Sequence, residues 1–274
     1  MDYIKEEITQ SYYEDANFSF LKRNVPMVIN ITGEDYAGFV KRFQKPYDPL
    51  FIASMQRTLS YLCEQVPGCV FGYNHGFEFV LVIAPPSNIE QSSWFSYDLQ
   101  KISSLTASMA GLHFNKDFEK SAKNYVLAGN NFDQTKKLNA MQGYVHAIDK
   151  GAIFSACCFN LPVEELHKYL YLKQKASLDR AIKEMGQTYF EEAELAGKSP
   201  SDIQFMVFNK CGINFDNYPI PFKRGSACLK NRMENGFLLC ETAPEGNWFI
   251  DKEMPLMREE NRNYIDCLFP SKTF

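Results

Sequence analysis

The sequence has no surplus of positive charge. Its 29 Lys and Arg stand against 33 Asp and Glu, a formal net charge of −4. That excludes a surface that holds nucleic acid by bulk phosphate neutralisation and leaves only a local basic pocket open. Paired cysteines are also missing. Cys63, Cys69, Cys157, Cys158, Cys211, Cys228, Cys240 and Cys267 form no CxxC unit and have no His beside them at finger-like spacing, which excludes a structural zinc module. They read as reduced, semi-buried small hydrophobes of a cytosolic protein, with Cys157 and Cys158 as core residues on opposite faces of a strand. Long apolar runs are absent: residues 79–84, FVLVIA, are among the longest, far short of the ~20 residues of a membrane span. The N-terminal stretch MDYIKEEITQSYYED is acidic and polar, without the basic and apolar segments of a secretory signal. No repeat or low-complexity segment appears. The expectation is a soluble, cytoplasmic protein with no membrane partner.

What is present is an ordinary folded composition, 45% apolar and 23% charged over 274 residues, enough for one large domain or a core with an extension. Residues 25–32, VPMVINIT, predict a buried strand that turns at Gly33. Residues 49–65 follow Pro49 and place Phe51, Met55, Leu59 and Leu62 at helical spacing. The segment CVFGYNHGFEFVLVIAPP reads as two strands joined at Asn74-His75-Gly76. Residues 98–112 predict a second helix, capped by Asp98, with Leu99, Ile102, Leu105, Met109 and Leu112 on its apolar face. A polar stretch runs from Asn115 to about Lys150. GAIFSACCFNL then supplies another strand, a helix starts near Val163 and runs to about residue 198, and the remainder reads as a loop-rich tail with short strands. The order βαββαβ predicts an α+β, ferredoxin-like palm, an antiparallel sheet with two helices on one face. It spans residues 1–160 with an insertion at about 115–150, and a helical and loop-rich extension over 161–274 packs on it.

Particular segments resemble the tRNA-His guanylyltransferase family. GINFDNYPIPFKRGSACLKNR at 212–232 is similar to that family's Asn-rich turn, proline pair and Arg/Lys-Gly before a closing strand. EELHKYLYLKQKASLDRA resembles its helical Arg-Gln stretch, with Lys173-Gln174 at the pair and Leu178, Arg180 and Ala181 where the family has a His and two Asn. MVINITGEDYAGF followed by QKPYD resembles the first strand, its glycine loop and a Lys-Pro-x-Asp element matched by Lys45, Pro46 and Asp48. The resemblance covers roughly residues 25–114 and 151–232.

It implies a reverse-direction palm nucleotidyltransferase that adds guanylate to a tRNA 5′ end and assembles as a dimer or tetramer. Such transfer uses two divalent cations, and hard ions need carboxylates at fixed positions. Where the family has Asp-Gly this chain has Thr32-Gly33, and where it has Ser-Asp-Glu this chain has Asn74-His75-Gly76. Both metal-binding aspartates are therefore missing, and a neutral imidazole is a poor Mg2+ ligand. Glu34, Asp35 and Glu78 are carboxylates close in sequence to the lost positions, but strand alternation puts His75 and Glu78 on opposite faces. The bland reading of Glu34 and Asp35 is a solvated loop pair, and His75 is expected as an exposed turn residue or a ligand contact.

Lys45, Asp48 and Lys101 stand where the resemblance implies nucleotide contacts, with Gly33 and Asn74 beside them. Tyr36, Tyr73 and Tyr97 could stack on a base, and Lys223 and Arg224 could hold a second phosphate, although each of these is also an ordinary core, surface or turn residue. Tyr97 and Asp98 occupy positions that are basic in the family, which favours a ligand with fewer charges. Three functions follow. The first is a catalytically degenerate relative that binds or sequesters a nucleotide or small cyclic oligonucleotide, with no cofactor, no metal and a doubtful claim on tRNA. The second is an active transferase using Mg2+ on rearranged ligands. The third is a structural or regulatory subunit.

Overall fold

The computed structural model describes residues 19–86, 94–127, 134–234, 237–240, 242 and 244–269; the acidic N-terminal stretch considered above lies outside them. Six strands form one antiparallel sheet: β1 (Met27–Gly33), β2 (Cys69–His75), β3 (Glu78–Ile83), β4 (Phe154–Asn160), β5 (Ser226–Lys230) and β6 (Trp248–Asp251), in the spatial order β4-β1-β3-β2-β5-β6. The first four strands, in the order 4-1-3-2, make the ferredoxin-like palm, and the C-terminal segment adds two strands beyond β2.

Alternation along the strands divides the residues between two cores. On one face lie α1 (Pro49–Gln65), α2 (Leu99–Leu127) and α3 (Gln134–Lys150). They enclose Ile29, Ile31, Phe79 and Leu81 with Phe39, Phe43, Phe51, Phe114, Phe118 and Tyr144. The other face packs Val28, Phe71, Tyr73, Val80 and Val82 under Leu166 and Leu170 of α4 (Val163–Tyr189) and under Met254, Met257 and Ile265 of the C-terminal segment. Gln174 fastens that segment: its Nε2 donates to Pro255 O at 2.9 Å and its Oε1 accepts from Met257 N at 2.7 Å.

The first helix forms as its spacing predicts, with Phe51, Met55, Leu59 and Leu62 all buried. Helix α4 starts at Val163 as expected and ends at Tyr189, short of residue 198; the remaining helices need corrections. The polar stretch from Asn115 is helical: α2 continues to Leu127, and α3 buries Ala140, Tyr144 and Ala147. The expected apolar face of α2 is rotated. Its buried stripe is Ile102, Thr106, Ala110, Phe114, Phe118 and Ala122, while Leu105 and Leu112 are exposed. Small residues at 106 and 110 let α2 press closely on its neighbours, and that outweighs the leucines' hydrophobicity. Within the tail, α5 (Pro200–Cys211) is an unforeseen helix closed by a capping box between Ser199 and Asp202, with Pro200 in its first turn. Cys158 is buried as expected; Cys157 is exposed, because β4 is the edge strand and α4 leaves its outer residues uncovered.

Candidate functional site

The hairpin between β2 and β3 turns through Gly76-Phe77, one residue later than expected, with Gly76 at φ +50°, a conformation glycine adopts readily. His75 and Glu78 thereby become direct cross-strand partners. The turn resets the alternation, so both side chains point to the same face, contrary to the opposite-face reading. Register continues the row: Glu78 faces Thr32, and Thr32 faces Ser155 on β4. Four strands thus present Ser155, Thr32, Glu78 and His75 side by side on the α4 side of the sheet.

Helix α4 supplies the cations. Lys173 Nζ donates to Glu78 Oε1 and lies 5.4 Å from the Tyr169 ring centroid. His75 Nε2 lies 2.9 Å from Glu78 Oε2, so each oxygen of Glu78 has a basic neighbour. Burial pulls the Glu78 carboxyl upward, but the close polar contact with His75, then the hydrogen bond and charge of Lys173, outweigh it and hold the group well below the usual carboxylate range. Burial drives His75 the other way, below the usual histidine range, with Arg180 and Lys173 adding to burial against the opposing Glu78. The result is a neutral imidazole beside an ionised carboxylate. His75 is 8% exposed, which corrects the expectation of an exposed turn ring.

Two turns along α4, Arg180 packs against the hairpin; a Cβ on Gly76 would stand 2.9 Å from Arg180 Nε. Its Nη1 donates to Glu184 Oε2 at 2.8 Å, and Tyr36 donates its hydroxyl proton to Glu184 Oε1 at 2.8 Å. Burial, then the Glu184 charge, raises the Tyr36 phenol above its ordinary value. Tyr36, Tyr47, Asn74, Arg180, Glu184 and Phe222 leave a cavity of only about 30 Å³, room for a water and far below the ~300 Å³ of a small-molecule pocket. Around this cavity Asn74 Oδ1, His75 Nδ1 and Arg180 Nε are buried without a hydrogen-bond partner among the described residues, and His75 Nε2 has only its 2.9 Å approach to Glu78, without hydrogen-bond alignment.

The other predicted residues are dispersed. Gly33 N donates to Phe77 O at 2.7 Å and ties the end of β1 to the hairpin turn. Asp48 is a buried helix cap: Oδ1 accepts from Phe51 N at 3.0 Å, and Oδ2 from Gln44 N at 3.2 Å and the Tyr144 hydroxyl at 2.8 Å. Lys45 Nζ donates to Val40 O at 3.1 Å. Tyr73 has no exposed surface and donates to Arg224 O at 2.8 Å, so its ring is not available for stacking on a base. Lys223 Nζ donates to Asp216 O at 2.7 Å and Arg224 Nε to Met254 O at 3.1 Å. Tyr97 and Lys101 are not brought to the row. They flank the start of α2, and Phe114, thirteen residues beyond Lys101 and ~20 Å along the helix, is the α2 residue that packs on Phe77 at the hairpin. Asp35 caps the turn at Tyr36 and pairs with Lys150, and Glu34 accepts from Ser155 Oγ at 2.7 Å.

Sequence reasoning did not assign Lys173, Glu184, Tyr169 or Ser155 to the site. The spacing of Lys173, Arg180 and Glu184 on one face of a long helix was the available signal. Among the described residues, no three His, Cys, Asp or Glu side chains converge as a metal-binding group, and no helix is long and apolar enough to cross a membrane.

A 4-1-3-2 antiparallel sheet, with α1 to α3 on one face and, on the other, α4 across a polar row where the central hairpin turns, is the arrangement of a palm-type domain. The sequence model of the family described as tRNAHis guanylyltransferase matches residues 7–161, more than half the chain, and the chain belongs to that family. It is 26% identical over 222 residues to tRNA(His) guanylyltransferase 1 of Arabidopsis thaliana, covering 76% of this chain and 34% of that protein. To a probable tRNA(His) guanylyltransferase of Dictyostelium discoideum it is 24% identical over 230 residues, covering 78% of each. The chain thus spans about a third of the length of the first relative and over three quarters of the second. In fold it is similar to a bacterial tRNA(His) guanylyltransferase-like protein solved in complex with ATP, with a TM-score of 0.76, 23% identity and coverage of 97% of this chain and 98% of that one. The tRNA(His) guanylyltransferase of Saccharomyces cerevisiae aligns with a TM-score of 0.61 at 16% identity, over 83% of this chain and 93% of that one.

Proposed function

We propose that this member of the family binds a nucleotide, or a small cyclic oligonucleotide, and holds it without metal-dependent transfer, acting as a homo-oligomeric binding or sequestering protein of the cytoplasm. The observation that carries the reading is the engagement of both Glu78 oxygens by Lys173 and His75. A divalent ion needs free carboxylate oxygens. Thr32 brings no charge and His75 a neutral ring, so the residues of this row do not fit a Mg2+ pair. Thr32 and Ser155, next in the row after Glu78, are exposed, which leaves the β4 end of the row open to a ligand. The bacterial relatives of the same fold, solved with ATP and with GTP, support the ligand class.

Titration calorimetry of the full chain in EDTA against mononucleotides, cyclic dinucleotides and nucleoside triphosphates tests the reading. At least one ligand is expected to bind with an affinity that Mg2+ does not change. No heat with any of them would overturn it.

A second reading, transfer of a nucleotide to a tRNA 5′ end, is favoured by one observation: Glu34 is exposed on the β4 side of Thr32 and Glu78 faces Thr32 from the other side. Labelled nucleotide entering tRNA with Mg2+, and not in a Glu34→Ala/Asp35→Ala variant, would establish it.

A further inference from the structure

We infer that the Lys173 ammonium serves as a tethered cation for Glu78, standing in for a divalent ion at this face of the sheet and keeping the row closed to metal. The inference rests on the reading above and deepens it by naming the group that enforces metal independence.

Three observations carry it. First, Lys173 is held rather than free. Its side chain is 22% exposed, its ammonium bonds to Glu78, and it lies over the Tyr169 ring, an arrangement that a desolvated ammonium favours. Second, Glu78 has a side chain only 16% exposed, and a carboxylate so covered requires a compensating charge. The neighbouring candidates are committed elsewhere or uncharged. Arg180 is bound to Glu184, and His75 is buried and neutral. Third, Lys173 and Glu78 sum to zero charge, so a divalent ion entering here meets an ammonium and no net negative partner. At ~4 Å, even with the dielectric constant of water, that repulsion weakens binding on the order of thirtyfold.

Manganese binding to the full chain, without nucleotide, tests this through loss of the free-ion electron paramagnetic resonance signal. Wild type and Lys173→Arg are expected to leave the signal unchanged. Lys173→Met and Lys173→Gln are expected to bind Mn2+ at least about tenfold more tightly than wild type, and adding Glu78→Gln should abolish the gain. Gln at 173 retains a donor for Glu78, so it keeps the test open if the Met variant fails to fold, as a thermal melt would reveal. Mn2+ binding by the wild type that Glu78→Gln removes would overturn the inference, as would an absence of gain in the folded Lys173 variants. Neither result depends on nucleotide binding, so a null calorimetric titration and a failed metal test are separately readable.

Discussion

The two faces of the palm sheet differ in what holds them. Beneath α1, α2 and α3 the packing is almost entirely aromatic and aliphatic, with Phe39, Phe51, Phe77, Phe114 and Phe154 touching ring to ring. Under α4 the same strands carry an apolar patch at one end and, at the hairpin end, charges whose partners come from a distant helix. One face is stabilised by non-directional burial, which tolerates exchange of like for like. The other depends on particular pairs, where losing one partner leaves the second stranded.

Substitutions separate the two kinds of stability. Phe114→Ala, at the centre of the aromatic face, is expected to cost about 3–5 kcal/mol in urea unfolding, the largest effect. Asp48→Ala removes the cap of α1 and strands the Tyr144 hydroxyl on the same face. A loss of about 2–3 kcal/mol is expected from the same measurement, and a wild-type melting temperature would instead mark Asp48 as a ligand contact. On the polar face, Lys173→Ala should cost about 1–2 kcal/mol, and Lys173→Met/Glu78→Gln less than that single change, because the double variant leaves no unpaired charge.

Acid discriminates the faces as well. His75, flanked by Glu78, Arg180 and Lys173, has a folded pKa held by burial below the ordinary histidine value of 6.5, so the unfolded chain binds the proton first and stability falls as pH drops below about 6.5. Glu78, held in the fold below the ordinary carboxylate value of 4.5, acts in the same direction below that value. Melting temperatures measured from pH 7 to 5 should therefore decline, and less steeply in His75→Asn. Thr32→Val, at an exposed position in the middle of the row, is expected to change stability by no more than about 0.5 kcal/mol; a larger loss would mean that its hydroxyl is part of the network.

The aromatic face was the legible one. Residues 27–31, 51–62 and 79–83 carry strand and helix periodicities that need no partner to be read, and the family's segments at 25–48 and 212–232 fixed the palm. Where periodicity failed, as on α2, Thr106 and Ala110 gave no hydrophobic signal although close packing selected them. The polar row was illegible for a different reason. Glu78 and Lys173 are 95 residues apart, and a two-residue turn at Gly76-Phe77 reverses the alternation that seemed to separate His75 from Glu78. Lys173 was visible only as a departure from the family's Arg-Gln pair, a sign without a destination until α4 was laid across the sheet.

The order of strands has a consequence for how the protein is made. Strand β2 ends at His75 and has its second neighbour, β5, only at residue 226. At ~5–20 residues per second, a ribosome takes roughly eight to thirty seconds to bridge that interval. Throughout it, Phe71 and Tyr73 belong to a strand with a bare edge, a template for pairing with another chain. A nascent chain stalled anywhere in α4 or α5 therefore keeps that edge without its β5 partner.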